Sequence, residues 1–230
     1  MILYIFVATI LAILLSIRMY IKFKYGFWYY QPVFHLYDVH YYFYKQQVIR
    51  PELPPANKHV NFHNIQTYDF LSCHTETNKS NTINEMLTFI NQHYLTHKHN
   101  HFRIPTPIFF QSYFQHHNSP CYFSLYKDSN AVKGIITCRP LYLQEHELLS
   151  CYYVDYLCVD KKMRKQGIAP QLIQTHEYNY RRLNPRIQIS LFKREDELTG
   201  IVPLCAYSTF GFDARAWAKS PPHRIPAMYD

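Results

Sequence analysis

The sequence predicts an α+β domain that follows one N-terminal transmembrane helix. Residues 2–17 contain no charged side chain, which is typical of a helix that crosses a bilayer. Further along, short apolar runs rich in aromatic and β-branched residues alternate with stretches of helical periodicity. The predicted order is helix, helix, strand, strand, strand, helix, strand, helix, after a weak edge strand, and this mixture defines the α+β class.

Length, charge and cysteine usage narrow the class of protein. The 230 residues suffice for one sizeable domain or two small ones. A net charge of +8 favours an anionic partner, which could be nucleic acid, a membrane surface or a phosphorylated cofactor. Zinc-finger spacing, a basic zipper run and ribonucleoprotein motifs are absent from the sequence, so we expect no nucleic-acid partner. The six cysteines include no CxxC pair, and we expect reduced thiols in a cytosol-facing domain, with disulfides as the alternative.

The predicted anchor is residues 1–21. About 20 residues of helix span the hydrocarbon core, and the guanidinium of Arg18 can reach the interface from there. The charges follow the apolar run, whereas a cleavable signal peptide has a basic front and a small-residue cleavage site. Arg18, Lys22 and Lys24 favour a cytosolic location for the rest of the chain. A buried core helix is the alternative.

The middle of the chain predicts an extended segment, an edge strand and two helices. Residues 22–60 are rich in aromatic residues, histidine and proline, and we expect them to lie extended over the domain. Residues 61–73 alternate weakly, like an edge strand. A helix should follow, capped by Asn81 or Thr82, because apolar residues then recur at helical spacing. Residues 109–117 predict a short second helix.

The second half of the chain predicts most of the sheet. Two apolar runs flank the polar turn KDSN within residues 121–143, which indicates a β-hairpin. Residues 150–159 predict a third strand, residues 169–183 a helix, and residues 186–192 a fourth strand. Residues 202–212 predict a short helix that leads to a last strand. The predicted units are therefore 1–21, 22–60 and 61–230.

The strongest positive charge lies at residues 154–173, VDYLCVDKKMRKQGIAPQLI, between a strand and a helix. The amides and the dipole of a helix N-terminus attract anions there. Gly167 permits a positive φ, so that consecutive amides can surround one anion, and Pro170 suits a first helical turn. A diphosphate fits such a site, and a solvated basic loop is the alternative. The charged residues of this loop are Lys161, Lys162, Arg164 and Lys165.

Several motifs resemble one acyltransferase family. The pattern Arg164-x-x-Gly167-x-Ala169 after an apolar strand is similar to the acyl-CoA pyrophosphate loop of the GNAT superfamily, and AYSTFGF (206–212) is similar to a short helix of that fold. Within the superfamily the sequence resembles the N-myristoyltransferases. The segments that carry this closer resemblance are YGFWYYQPV (25–33), FRIPTPIFFQSYF (102–114), VKGIITCRP (132–140) and, most strongly, residues 154–173.

The resemblance implies a GNAT-like fold, in which helices flank a central mixed, mostly antiparallel sheet. It also implies myristoyl-CoA as acyl donor, an N-terminal glycine as acceptor, direct attack of the amine on the thioester, and no metal. The backbone amides of Tyr156 and Leu157 match the pair that forms the family's oxyanion hole. The residues implied to contact acyl-CoA are Gly26, Phe27, Trp28, Tyr156, Leu157, Cys158, Val159, Arg164, Lys165, Gly167, Ile168, Ala169 and Pro170.

Two departures from the family pattern concern the acceptor. The match covers the first of the family's two GNAT-like halves, and the other half supplies much of the peptide groove and the C-terminal carboxylate that deprotonates the glycine. We therefore expect a second subunit to be able to complete the site. Asp155 stands where the family has asparagine. One hypothesis makes Asp155 the group that orders or deprotonates the amine. The alternative is a structural aspartate bonded to backbone or to a nearby tyrosine.

Two further stretches have competing interpretations. The histidines of HYLTHKHNH (93–101) could hold a metal, but no cysteine or acid completes the set, so we expect an ordinary polar loop. The tyrosines of YDVHYYFYK (37–45) could lie at a membrane interface or pack as aromatic core.

Taken together, the sequence predicts a membrane-anchored N-acyltransferase that transfers a long acyl chain to a glycine or another amine. The first alternative is an inactive scaffold that keeps the acyl-CoA fold, and the second is an acetyltransferase that uses acetyl-CoA. We expect the protein to cross a membrane once, with most of the chain on the cytosolic side. The scarcity of glycine (5) and abundance of tyrosine (22) suit an AT-rich genome, such as that of a large DNA virus with a virion membrane.

Overall fold

The computed structural model describes residues 1–38, 43, 48–70, 79–94, 106–144, 148–193 and 200–206. The helices are α1 (Ile2–Lys24), α2 (Gly26–Tyr29), α3 (Lys79–His93), α4 (Pro107–Phe114) and α5 (Ile168–Leu183). The strands are β1 (Ile65–Asp69), β2 (Tyr122–Asp128), β3 (Ala131–Gln144), β4 (Leu148–Val159) and β5 (Ile189–Phe192).

The strands form one five-stranded sheet in the order β1-β2-β3-β4-β5. All neighbours are antiparallel except β4 and β5, which are parallel. The β2–β3 hairpin turns at Ser129 and Asn130, whose φ angles of 48° and 65° fit a two-residue turn that follows the twist of the strands. The mixed, mostly antiparallel sheet and the edge position of β1 confirm the predicted class.

Helices cover both faces of the sheet. Successive side chains of a strand point to opposite faces, so Tyr122 joins the apolar cluster under α5, and Phe123 joins the cluster under α3 and α4. The α3/α4 cluster includes Phe70, Ile83, Met86, Ile90, Phe110, Phe114 and Leu125. The α5 cluster includes Ile136, Tyr152, Val154, Ile168, Leu172, Ile173 and Tyr180.

Helix α5 packs closely on β3, because β3 has a glycine beneath it. A Cβ atom on Gly134 would lie 2.8 Å from Cδ1 of Leu172, a separation that side chains do not tolerate. This close packing fixes the position of the N-terminus of α5 relative to the sheet.

A proline-rich segment lies across α5. Arg181 Nη2 donates to the carbonyl oxygen of Pro51 at 2.9 Å, and Arg182 Nη2 donates to that of Pro54 at 3.0 Å. Backbone carbonyls that lack sheet partners are thereby satisfied by the guanidinium groups of the helix. We call residues 48–64 the strap.

Helix α1 extends along 23 residues, or about 34 Å at 1.5 Å per residue. Its length and composition suffice to cross a membrane, and it is the only such helix in the described part of the chain. Almost all of its surface is exposed, but Ile21 is buried against Gly200. The helix continues three residues beyond the predicted end at residue 21.

Some element boundaries differ from the expectations. Helix α3 begins at Lys79, so the proposed caps Asn81 and Thr82 lie inside it. Helix α4 begins at Pro107, whose missing amide hydrogen costs nothing in a first turn. The segment expected to be extended contains the helical turn α2. Outside the described residues lie 39–42, 44 and 45 of the tyrosine-rich stretch, 95–101 of the histidine run, 102–105 and 207–212.

Candidate active site

Strand β4 contains a bulge at the residues expected to form the oxyanion hole. Ile135 is paired with Cys158 and Thr137 with Asp155, so the single residue Ile136 lies opposite both Tyr156 and Leu157. Tyr156 has a φ of 45°, which is rare outside glycine. A bulge interrupts the ladder of backbone hydrogen bonds and turns peptide groups away from it. Backbone amides at this point can therefore serve a ligand.

The sheet also opens next to the bulge. Strand β5 pairs with β4 only from Cys151 to Val154. In the parts of the chain that the structure describes, β5 contributes no partner to β4 beyond Val154.

A cavity of about 690 Å³ lies at the end of β4, which is within the usual size range of small-molecule sites. It is bounded by the end of β4, the basic loop, the first turn of α5 and the C-terminal end of α3. Most of the residues implied to contact acyl-CoA are brought together here. Its lining consists of His93, Tyr94, Leu157, Cys158, Val159, Met163, Arg164, Lys165, Gly167, Ile168, Ala169 and Pro170.

The basic loop has the backbone conformation that the glycine predicts. Gly167 is the N-cap of α5 with a φ of 80°, and Lys165 also has a positive φ of 66°. No side chain caps the helix, so the amides of its first turn are available on the cavity side. Pro170 lies in that first turn, as predicted. Left-handed residues followed by a helix N-terminus form a concave group of amides that suits an anion.

Arg164 divides its hydrogen bonds between the loop and its supports. Its Nε donates to the carbonyl oxygen of Val159 at 3.3 Å, and its Nη2 donates to that of His93 at 2.9 Å. The side chain thus ties the loop to β4 and to the end of α3. Among the described residues its Nη1 has no hydrogen-bond partner, so its donors can serve a ligand.

Asp160 holds the base of the loop. Its Oδ1 accepts from the amide of Lys162 at 3.0 Å, and its Oδ2 forms an ion pair with Nζ of Lys133 at 3.1 Å. The hydrogen bond from Lys162 is the main reason why the pKa of Asp160 lies below its ordinary value. Sequence reasoning assigned Asp160 no role. An aspartate directly after a strand and before a helical turn is the capping signal that could have revealed this role.

Asp155 contacts two side chains on other elements. Its Oδ2 lies 3.1 Å from the hydroxyl of Tyr113 on α4 and 3.3 Å from Nε of Arg139 on β3. Burial raises the pKa of Asp155 to about 6, although Arg139 and Tyr113 both act to lower it. The bond to a neighbouring tyrosine, which was the alternative expectation, is therefore present in the structure.

Gly26, Phe27 and Trp28 lie away from the basic loop, and the expectation that their segment covers the acyl-CoA site stays a prediction. Trp28 lines a second cavity of about 130 Å³ with Val154, on the α5 face of the sheet. Phe27 packs edge-on against His59 at 5.3 Å between ring centroids. These three residues are absent from the lining of the basic cavity.

The side chain of Tyr156 belongs to the core. Its ring packs against Tyr94 at 5.4 Å and Phe110 at 5.5 Å between centroids. The side chain is not part of the lining of the basic cavity, and the implied role of the Tyr156 backbone stays a prediction. The strained φ of Tyr156 is therefore supported by aromatic packing on the α3/α4 face.

Comparison with known families gives one match to a family model. The model of the myristoyl-CoA:protein N-myristoyltransferase N-terminal domain matches residues 56–185, which is more than half of the chain and includes the bulge and the basic loop. No curated protein matches the sequence.

Solved structures of one yeast enzyme show the same fold. A crystal structure of Saccharomyces cerevisiae N-myristoyltransferase with bound myristoyl-CoA has a TM-score of 0.53 and 17% identity, covering 76% of this chain and 41% of that chain. Another structure of the yeast enzyme, with bound myristoyl-CoA and inhibitors, has a TM-score of 0.51 and 18% identity, covering 77% and 41%. An aminoglycoside acetyltransferase from an uncultured soil metagenomic sample has a TM-score of 0.41 and 18% identity, covering 57% and 76%. The chain spans less than half the length of the yeast enzyme.

Proposed function

Because the chain belongs to the myristoyl-CoA:protein N-myristoyltransferase family through its N-terminal domain, with a GNAT-like fold, we propose that it transfers an acyl group from acyl-CoA to an amine. The observation that carries this proposal is the direct contact between two features. The cavity that begins at the basic loop is also lined by Leu157, one of the two residues of the bulge. A diphosphate and a thioester of one donor molecule can therefore bind together.

The donor is a long-chain acyl-CoA, with myristoyl-CoA as the first candidate. The amides at Gly167 and in the first turn of α5, together with Lys165, bind the diphosphate. The matched yeast structures contain myristoyl-CoA, which supports this chain length over the acetyl group. Acetyl-CoA is the competing donor, because the diphosphate site contacts the CoA part of the donor and does not distinguish acyl chains of different length.

The transfer proceeds by direct attack of the amine on the thioester. The backbone amides of Tyr156 and Leu157 donate to the oxygen that becomes negatively charged, and donors of this kind are worth roughly 3–4 kcal/mol. The new C–N bond forms, the C–S bond breaks, and CoA leaves as a thiol after taking a proton. A cysteine nucleophile is not required. Burial raises the pKa of Cys158, the cysteine in the cavity, to about 12, which keeps it an unreactive thiol.

The acceptor is the N-terminal glycine of a peptide or protein, or another primary amine. A second subunit that contributes part of the acceptor groove is consistent with a match to one domain of a longer family. We further propose that α1 anchors the protein in a membrane with the domain on the cytosolic side. One myristoyl chain binds a bilayer only weakly, so synthesis at the membrane helps to retain the product.

The test uses the full chain in lipid nanodiscs. Calorimetry compares the binding of myristoyl-CoA and acetyl-CoA, and a thiol assay then follows the release of CoA with libraries of peptides that begin with glycine or alanine. We expect tighter binding of myristoyl-CoA and CoA release with glycine peptides. Lys165→Ala should weaken binding of both thioesters, whereas Lys127→Ala, on the β2–β3 hairpin, should not.

Each other outcome has a distinct meaning. Binding without CoA release in the presence of both libraries supports the inactive scaffold and contradicts the acyltransferase. Equal binding of the two thioesters contradicts the preference for a long chain. If the protein binds neither thioester, the basic loop is a solvated loop without a ligand, and the proposed function is wrong.

A further inference from the structure

The cluster of Asp155, Tyr113 and Arg139 lies beside the bulge, on the side of the sheet away from α5. We propose that Asp155 is the proton acceptor for the incoming amine, and that Tyr113 and Arg139 hold its carboxylate in place. This inference rests on the acyl transfer proposed above. The alternative is a purely structural role of the bond between Asp155 and Tyr113.

The position of Asp155 fits an acceptor site. It directly precedes Tyr156, so the Cα atoms of the two residues are about 3.8 Å apart. Its side chain contacts Tyr113 on α4, whereas the basic loop leads into α5 on the opposite face. The donor can therefore reach the bulge from the end of β4, and the amine from the side of α4. The cluster reaches solvent, because Tyr113 is 39% exposed.

The hydrogen bonds leave one carboxylate oxygen free for the amine. Nε of Arg139 donates to the hydroxyl oxygen of Tyr113 at 2.6 Å, so the single hydroxyl hydrogen of Tyr113 is directed to Oδ2 of Asp155. Arg139 also lies 3.3 Å from the same Oδ2. Within the described residues Oδ1 has no hydrogen-bond partner. A substrate ammonium can donate to Oδ1 without breaking any of these contacts.

The charges around the carboxylate suit proton transfer near neutral pH. Burial raises the pKa of Asp155 to about 6, close to the range in which a general base works best. Arg139 stays charged. Burial raises the pKa of Tyr113 to about 12 and also raises those of Tyr156 and Cys121, so these neighbours remain neutral. The guanidinium carbon of Arg139 also lies 5.1 Å from the ring centroid of Tyr153.

The proposed step balances in protons and electrons. The ammonium of the acceptor gives one proton to Oδ1 of Asp155 and becomes an amine with a free electron pair. That pair forms the C–N bond, and the thioester oxygen takes the negative charge at the bulge. When the C–S bond breaks, the second proton of the nitrogen neutralises the thiolate of CoA. Asp155 returns its proton to solvent, so the sum is amide, CoA thiol and one proton.

The experiment measures CoA release by the full chain in nanodiscs, with myristoyl-CoA as donor and glycinamide as the acceptor probe, between pH 5 and 8. Wild-type kcat/KM should fall tenfold per pH unit below about pH 6. Asp155→Asn should lose about 100-fold or more in kcat at pH 7 and should lose this acid limb. Its affinity for myristoyl-CoA should not change. Asp128→Asn, at the hairpin turn, is the matched control and should behave as wild type.

Tyr113→Phe separates a positioned base from a structural bond. The hydrogen bond from Tyr113 lowers the pKa of Asp155, so its removal should move the acid limb to higher pH. The rate at pH 8 should change much less than in Asp155→Asn. A purely structural contact would change the melting temperature of both variants and leave the pH profile in place.

A binding measurement completes the test without turnover. Glycinamide is titrated into the protein saturated with a thioether analogue of myristoyl-CoA, which cannot transfer its chain. Asp155→Asn should weaken glycinamide binding at least tenfold. If Asp155→Asn keeps the wild-type rate, the acid limb of the pH profile and the wild-type affinity for glycinamide, the proposed role of Asp155 is wrong. The proposed acyl transfer would not be affected by that result. Wild-type protein that binds myristoyl-CoA but releases no CoA, with glycinamide or with peptides, would overturn both.

Discussion

Substitution of Gly167 by alanine isolates the contribution of one backbone angle to the basic loop. Gly167 caps α5 with a φ of 80°, and a Cβ atom built there would have no heavy atom within 4 Å. The added methyl group therefore meets no neighbour, and its cost is conformational. An alanine in the left-handed region costs about 1–2 kcal/mol relative to the right-handed region, whereas glycine occupies both with similar ease.

The expected magnitude follows from two opposing effects. Alanine also lowers the entropy of the unfolded chain, which returns about 0.4–1 kcal/mol. The free energy of unfolding should thus fall by about 1 kcal/mol, or roughly 2–4 °C in melting temperature for a domain of this size. If the loop relaxes by rotating residue 167 out of the left-handed region, the amides no longer converge. Loss of one amide–phosphate hydrogen bond would then cost about 1.5–3 kcal/mol, which is roughly 10- to 100-fold in CoA affinity.

The assay combines urea unfolding, followed by circular dichroism, with calorimetric binding of CoA. Gly26→Ala is the matched control, because a Cβ atom there also has no neighbour within 4 Å and Gly26 is not among the residues with positive φ. Gly26→Ala should keep wild-type stability or gain slightly. The reasoning is refuted if Gly167→Ala retains both stability and CoA affinity, or if Gly26→Ala loses as much.

Two other predictions concern the core and the base of α1. His176 is buried, and burial lowers the pKa of its imidazole to about 3, while the unfolded chain takes up the proton near pH 6.5. The folded pKa is depressed, so stability is intact above pH 6.5 and declines by up to about 1.4 kcal/mol per pH unit as pH falls towards 3. The free energy of unfolding of His176→Gln, measured by urea titration between pH 4.5 and 7, should lack this part of the acid sensitivity. A pH dependence equal to that of the wild type would contradict the assignment to His176. At the base of α1, a Cβ on Gly200 would lie 2.6 Å from Cδ1 of Ile21 at a φ of 72°. Gly200→Ala should reduce the free energy of unfolding by about 1–3 kcal/mol and speed tryptic cleavage after Lys24, whereas unchanged cleavage would show that this contact does not hold the helix.

Much of the fold was predictable because local sequence signals agree with it. The apolar runs on either side of KDSN pair as the β2–β3 hairpin, and the residues at its tip adopt positive φ angles. Gly167 and Pro170 mark the start of α5, and both lie where their backbone preferences place them. These signals act within a few residues, so they can be read without knowledge of the tertiary structure.

The site was less predictable because its key contacts connect distant parts of the chain. Tyr113 and Asp155 are separated by 42 residues, and the identity of neither residue predicts that the two are in contact. The bulge at Tyr156 also has no local signal, since it depends on a register shift against β3. The placement of Trp28 depends on the packing of α2 against the α5 face, which the composition of its segment does not specify. Sequence therefore predicted the backbone of the basic loop well and the surroundings of Asp155 poorly.

The strap has a consequence for folding during synthesis. Its anchor on α5 joins Pro51 to Arg181, which are 130 residues apart. At about 5–20 residues per second, a ribosome needs roughly 6–26 s between these two positions. Throughout that interval the carbonyls of the strap have no guanidinium partner and remain bonded to water. Closure of the strap therefore has to follow the synthesis of α5, and the strap cannot reach its final position before that helix is made.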